Sequence, residues 1–190
     1  LKNVCIWVKG NAGMGSFYRS RHEFVFVFKS GEAKHINNFG LGQTGRYRTN
    51  VWEYDGVNTF RAGRDEDLAA HPTVKPVGMV ADAIRDCSAR GGLILDPFAG
   101  SGTTILAAER TGRRARCIEL DPRYVDVAVQ RWQSRTGQEA IHIETGLTFD
   151  QLRVQRGALT DQPQNSIRVR AAPAGRGVNL EAPGAVSHGP

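Results

Sequence analysis

The sequence predicts an α/β fold, in which parallel strands alternate with helices. Two observations carry this. First, the apolar run Gly92-Leu93-Ile94-Leu95 leads into Asp96-Pro97-Phe98-Ala99-Gly100-Ser101-Gly102-Thr103-Thr104 and then into the helix-forming stretch Ile105–Arg110. That order is strand, tight glycine loop, helix. Second, Ala115–Ile118 reads as the next strand with Glu119 at its end, and Pro122 opens a further helix for which Asp121 is the cap. Gly100 and Gly102 let a ligand approach the backbone closely, because they carry no side chain and tolerate positive φ. The free N–H groups at the following helix start favour a polar or negative ligand.

The remaining elements follow in chain order. Asn3–Lys9 reads as a buried strand and Glu23–Phe28 as a second, rich in aromatic and β-branched residues, with a glycine-containing loop from Gly10 to His22 between them. Gly40–Trp52 interleaves Arg, Tyr, Asn and Trp with glycines, either as a nucleic-acid contact or as a surface loop with incidental charge. His71-Pro72-Thr73-Val74-Lys75-Pro76 precedes a helix in which Val77, Val80, Ile84 and Cys87 form one apolar stripe. In the helix from Pro122, the residues Tyr124, Val127, Ala128 and Trp132 share a face that reads as core. Ala140–Glu144 reads as a third strand beside the glycine loop's sheet. No aromatic residue follows Phe149, and Pro, Gly, Ala, Gln and Arg dominate from about residue 155. Such a segment buries too little apolar surface to offset its ordering entropy. One domain over residues 1–150 and a disordered tail over 151–190 are therefore expected.

The loop's details separate its ligand classes. A phosphate-binding P-loop needs Lys-Ser/Thr after its last glycine, and Thr103-Thr104 stands there instead. A dinucleotide fold wants a third glycine where Ile105 stands. The run from Asp96 to Thr104 resembles the S-adenosylmethionine loop of the DNA amino-methyltransferases, which methylate adenine N6 or cytosine N4. Glu119, 17 positions beyond Gly102, stands where an acid can bind both ribose hydroxyls. Thr73, Lys75 and Pro76 resemble the family segment that flanks the methionine end of the cofactor. The resemblance thus implies a Rossmann-like methyltransferase sheet with helices on both faces. It implies a cofactor site of Thr73, Lys75, Pro76, Asp96, Phe98, Gly100, Ser101, Gly102, Thr103 and Glu119.

The order of segments resembles the beta class of the family, particularly its phage-associated members. Residues 1–30 resemble strands beside the target-base pocket, 31–70 occupy the place of the target-recognition region, and 71–150 form the cofactor half. The family's catalytic motif is Asp, Asn or Ser followed by Pro-Pro and an aromatic residue, and no Pro-Pro pair occurs in this chain. In the beta order it would precede residue 1. The strand that carries it is central in the family sheet, and its place is expected between the strand ending at Asp96 and the strand Val4–Val8. Three outcomes are open: a gap, direct pairing of those strands, or a strand recruited from an N-terminal portion or a separate chain. The chain alone is expected to be an inactive fragment. The rival readings are a non-catalytic remnant that binds cofactor or DNA, half of a split enzyme, and a methyltransferase acting on RNA or a small molecule.

Charge distribution points to double-stranded DNA as the partner. Residues 1–50 hold eight Lys/Arg against two Asp/Glu, whereas residues 71–150 hold ten of each. A basic first segment suits phosphates, and a neutral cofactor half suits a small zwitterion. Arg19, Arg21, Arg46, Arg48 and Asn50 are the candidate DNA contacts. His22, beside Glu23, reads as a structural hydrogen-bonding residue. Cys5, Cys87 and Cys117 fit neither a zinc site nor a disulfide framework, so a reducing, cytoplasmic setting is expected. No apolar run is long enough to span a membrane, and no metal is required.

Overall fold

A computed structural model describes residues 1–38, 48–56 and 74–160. Five strands and four helices occur there: β1 (Asn3–Val8), β2 (His22–Val27), β3 (Val51–Glu53), α1 (Val77–Cys87), β4 (Leu93–Asp96), α2 (Thr103–Thr111), β5 (Arg114–Cys117), α3 (Pro122–Thr136) and α4 (Phe149–Thr160). The α/β expectation holds, and the strands fall into two sheets, β2-β1-β3 and β4-β5.

In the first sheet β1 pairs antiparallel with β2, from Asn3↔Val27 to Val8↔His22. On its other side β1 pairs parallel with β3, Trp7 lying opposite Trp52. The alternation of β1 buries Cys5 and Trp7, and the Trp7 indole N–H donates to the Tyr54 carbonyl at 2.8 Å. In the second sheet β4 and β5 are parallel, Asp96 lying opposite Cys117. Parallel neighbours need a crossover, and α2 supplies it.

The strand Val4–Val8 lies inside β1, which pairs with β2 along its length and with β3 over Ile6–Val8. Among the described residues the strand ending at Asp96 does not pair with it, so direct pairing of those two strands is not the outcome seen. Among the described residues β4 has β5 as its one neighbour and β2 has β1 as its one neighbour. The open edges therefore belong to β4, β2, β3 and β5. On β4, Ile94 packs with Ala115 against Ala81, Ile84, Ala107 and Ala108 of α1 and α2. Leu93 and Leu95, on the opposite face, are exposed. The described helices thus cover one face of the small sheet.

The remaining elements follow their sequence signals with three exceptions. Asp121 caps α3 as expected, accepting from the Arg123 N–H at 2.9 Å. Tyr124, Val127, Ala128 and Trp132 are all partly or fully buried on α3. In α1, however, Cys87 is exposed, while Met79 and Ala81 are buried. Ala140–Glu144 is no sheet strand, since Ile141 makes only an isolated antiparallel bridge to Thr148. The expected tail boundary at 151 also moves, because α4 continues to Thr160. Residues 161–190 lie outside the described residues.

A polar cluster joins the two halves. Arg48 Nε lies 2.7 Å from the buried Asp86 carboxylate, and Arg48 Nη1 lies 3.4 Å from Asp82. The Tyr54 hydroxyl donates to Asp82 at 2.7 Å. Asn38 closes the end of α1, donating from Nδ2 to the Arg85 and Ser88 carbonyls at 2.8 and 2.9 Å.

Candidate functional site

The loop from Asp96 to Thr104 is built by its first and last residues. One Asp96 oxygen accepts the Phe98 N–H at 3.0 Å, and the other accepts the Thr104 hydroxyl at 2.6 Å. The carboxylate therefore ties the loop's two ends together. Gly100 and Gly102 take positive φ, 52° and 78°. A Cβ on Gly102 would stand 2.6 Å from the Ala128 Cβ, so α2 and α3 meet there only because residue 102 has no side chain.

Beyond β5 the chain extends the β4–β5 pairing, Ile118 N–H donating to the Asp96 carbonyl and Ala99 N–H to the Ile118 carbonyl. This fixes Glu119 beside the loop. Its carboxylate accepts the Gly100 N–H at 2.7 Å and the Asp121 N–H at 3.0 Å. The backbone N–H groups of Asp121 and Gly100, in that order of effect, hold its pKa below the ordinary carboxylate value. A carboxylate has about four acceptor sites, so two hydroxyl groups can still be received.

Lys75 reaches the same place from the other side, its carbonyl accepting the Thr103 hydroxyl at 3.4 Å. Its amine, however, lies 3.3 Å from Glu23 and 5.6 Å above the Trp7 ring. Lys9 pairs with the same Glu23 carboxylate. Two ammonium groups thus share one carboxylate beside the glycine loop. Pro76 stands directly before α1 as its cap residue. Phe98 is 87% exposed, its ring open to a flat ligand. Ser101 and Thr103 are buried beneath the loop, and Ser101 accepts Arg131 Nη1 through both its hydroxyl and its carbonyl. Their hydroxyls therefore brace the loop. Thr104 and Arg131 are bracing residues the sequence did not mark, and Thr73 lies outside the described residues. Exposed Phe98, the Gly100 backbone, the Glu119 carboxylate and the nearby Lys75 amine suit an adenosine joined to an amino acid.

The candidate DNA contacts divide differently. Arg19 donates from Nε and Nη2 to the Gly13 and Ala12 carbonyls, at 3.1 and 3.0 Å, and Arg21 from Nε to the Lys9 carbonyl at 3.0 Å. Neutral acceptors leave both charges intact. Arg48 is ion-paired with Asp82 and Asp86 and lies over the Trp52 ring, so its charge already has partners within the chain. The Asn50 side chain donates to the Val4 carbonyl at 3.0 Å and so holds β1 to β3. Val51 and Trp52, read as part of a recognition loop, lie in β3. Arg46 lies outside the described residues.

A family model described as DNA methylase, of the N6/N4 methyltransferase type, matches residues 1–130. The chain belongs to this family. Among the DNA methylases it resembles, the Type II methyltransferase M.ScaI of Streptomyces caespitosus is 38% identical over 90 residues, covering 47% of this chain and 30% of that protein. M.XycI of Xanthomonas campestris pv. cyanopsidis is 32% identical over 145 residues, covering 71% and 45%. The crystal structure of the M1.HpyAVI–SAM complex matches with a TM-score of 0.51 and 25% identity, covering 69% of this chain and 61% of that one. The cytosine-N4-specific PvuII DNA methyltransferase matches in fold, with a TM-score of 0.52 at 20% identity over 68% of this chain and 50% of that one. The chain spans half or less of the length of the curated relatives it matches. No described helix is long and apolar enough to cross a membrane.

Proposed function

We propose that this chain carries the S-adenosylmethionine site and part of the DNA face of an amino-methyltransferase acting on adenine N6 or cytosine N4. The observation that carries this is the Glu119 carboxylate, held by the Gly100 N–H at 2.7 Å beside the exposed Phe98 ring. Glu119 binds the ribose hydroxyls, Phe98 packs against the adenine, and the Gly100 loop allows close approach. Lys75 neutralises the amino-acid carboxylate. S-adenosylmethionine supplies an electrophilic methyl group. Arg19 and Arg21, and Arg46 from the same basic region, contact DNA phosphates. The M1.HpyAVI complex with SAM supports the cofactor, at 25% identity.

The target amine is a poor nucleophile, because its lone pair is delocalised into the base. A polar side chain and a proline carbonyl must accept hydrogen bonds from it, and the chain contains no Pro-Pro pair. We place that motif on a strand from outside these 190 residues, either an N-terminal portion or a separate chain. The unpaired edges of β4 and β2, with Leu93 and Leu95 exposed, support this. The setting is intracellular, where DNA and the cofactor meet.

Calorimetry with S-adenosylmethionine tests the cofactor site. Binding by the parent chain and its loss in Glu119→Ala are expected, and equal affinity in both removes the role given to Glu119. The parent chain alone should transfer no methyl group to duplex DNA. Turnover by it would place the catalytic group inside the chain.

A further inference from the structure

The loop between β1 and β2 exposes three large apolar side chains that no packing explains. Met14 is 98% exposed, and Phe17 and Tyr18 are each 84% exposed. The two rings touch, their centroids 4.4 Å apart at 58°. The backbone beneath them is tied down. The Gly13 N–H donates to the Ser20 carbonyl at 2.8 Å and the Lys9 N–H to the Arg21 carbonyl at 2.8 Å. Arg19 and Arg21 add side-chain bonds to the Ala12, Gly13 and Lys9 carbonyls. A Cβ on Gly15 would stand 2.7 Å from the Tyr18 carbonyl oxygen, so the tight turn that presents the rings requires glycine.

A braced loop that holds two aromatic rings in solvent, followed directly by Arg19 and Arg21, suits an occupant with flat apolar faces and nearby anions. Among the described residues Arg19 and Arg21 meet only neutral carbonyls, so their charges remain available to such anions. Bases stacked between phosphates have this chemistry. The loop also has a place relative to the cofactor site. Its base ends at Lys9 and Glu23, and Glu23 pairs with Lys75, whose carbonyl meets Thr103 at the start of α2.

We propose that Phe17 and Tyr18 form a stacking wedge that enters duplex DNA at the base step opened for methylation, with Arg19 and Arg21 on the flanking phosphates. This rests on the DNA-methylase reading above. A base that leaves the stack opens a gap, and apolar side chains are known to insert between base steps in minor-groove and architectural proteins.

The test measures binding of the full chain to an intact duplex and to the same duplex with one abasic site, across a salt series. The abasic site provides the gap without the cost of unstacking. The parent is expected to prefer the abasic duplex. The double variant Phe17→Ala/Tyr18→Ala should lose about tenfold on it, bind both duplexes equally, keep the parent's salt slope and keep its melting temperature. Arg19→Gln/Arg21→Gln should instead flatten the salt slope, by up to about two units for two phosphates. If the ring variant still discriminates as the parent does, the wedge is overturned while the family's DNA face stands. If the ring variant loses self-association but no DNA affinity, a protein surface covers the rings and the wedge is overturned. If the parent binds S-adenosylmethionine but neither duplex, DNA contact by this chain falls and the cofactor reading survives.

Discussion

Gly100 donates its backbone N–H to the Glu119 carboxylate at 2.7 Å, while Asp121 donates to the other oxygen at 3.0 Å. The acid that faces the ligand is thus also the group that pins the glycine loop. A Glu119→Gln amide presents one donor to two backbone donors, so it loses a charge-assisted bond and loosens Gly100. Cofactor affinity should fall about tenfold or more, measured by calorimetry. The two N–H groups also keep the carboxylate ionised into acid. Affinity should therefore not decline through loss of this charge between pH 7 and the ordinary carboxylate value of 4.5. A decline that starts near about pH 6 and disappears in Glu119→Gln would contradict this.

Gly102 and Ala128 make the contact that joins α2 to α3. Gly102→Ala meets two obstacles, a φ of 78° and a Cβ 2.6 Å from the Ala128 Cβ. Together they should cost about 3 kcal/mol in chemical denaturation. Adding Ala128→Gly removes the Cβ–Cβ clash but not the backbone strain or the 3.1 Å approach to the residue 128 Cα, and it introduces a mid-helix glycine. Partial recovery in the double variant is the expected result. Simple additivity of the two losses would show that the clash is relieved elsewhere.

Arg48 offers a test that separates structure from DNA contact. Its side chain is 18% exposed and lies 2.7 Å from an Asp86 side chain that is 9% exposed. Arg48→Ala removes a cation 2.7 Å from a buried carboxylate and should cost about 3 kcal/mol of stability. Arg19→Ala breaks only surface contacts and should cost less than about 1 kcal/mol. If Arg48→Ala leaves stability unchanged and weakens DNA binding, the ion-pair assignment is wrong.

The cofactor half was legible because its signals are local. Asp96 to Thr104 places a strand end, a glycine turn and a helix start within nine consecutive residues, and the Asp121-Pro122 cap announces α3. The contacts that Arg48 and Asn50 make within the chain were hidden, because a sequence shows polarity but not partners. Asp82, Asp86 and Val4 lie 34, 38 and 46 positions away from them, respectively. The same distance effect hid Asn38 and Arg131, which bond to backbone carbonyls far along the chain. Ala140–Glu144 alternates like a strand, yet Ile141 has only the Thr148 bridge to pair with. β1 was readable as a strand, but not that Val51–Glu53 would take its second edge, since three residues carry too little pattern.

Two carboxylates tie the halves together and set an acid limit. Burial alone would raise the Glu23 pKa, but hydrogen bonds and charge from Lys9 and Lys75 outweigh it and hold the value below the ordinary 4.5. Burial likewise works against Asp82, and hydrogen bonds from Tyr54 and Arg85, with the Arg48 charge, hold it below 3.8. Because both values are depressed on folding, their contribution is present above the ordinary values. It is lost as pH falls below 4.5 and then 3.8 toward the folded values. These two groups should therefore give the melting temperature no pH dependence between about pH 7 and pH 5, and make it fall below that. Glu23→Gln/Asp82→Asn should melt lower than the parent at neutral pH and show a shallower acid limb. Parallel pH curves for parent and double variant would show that other groups set the acid limit.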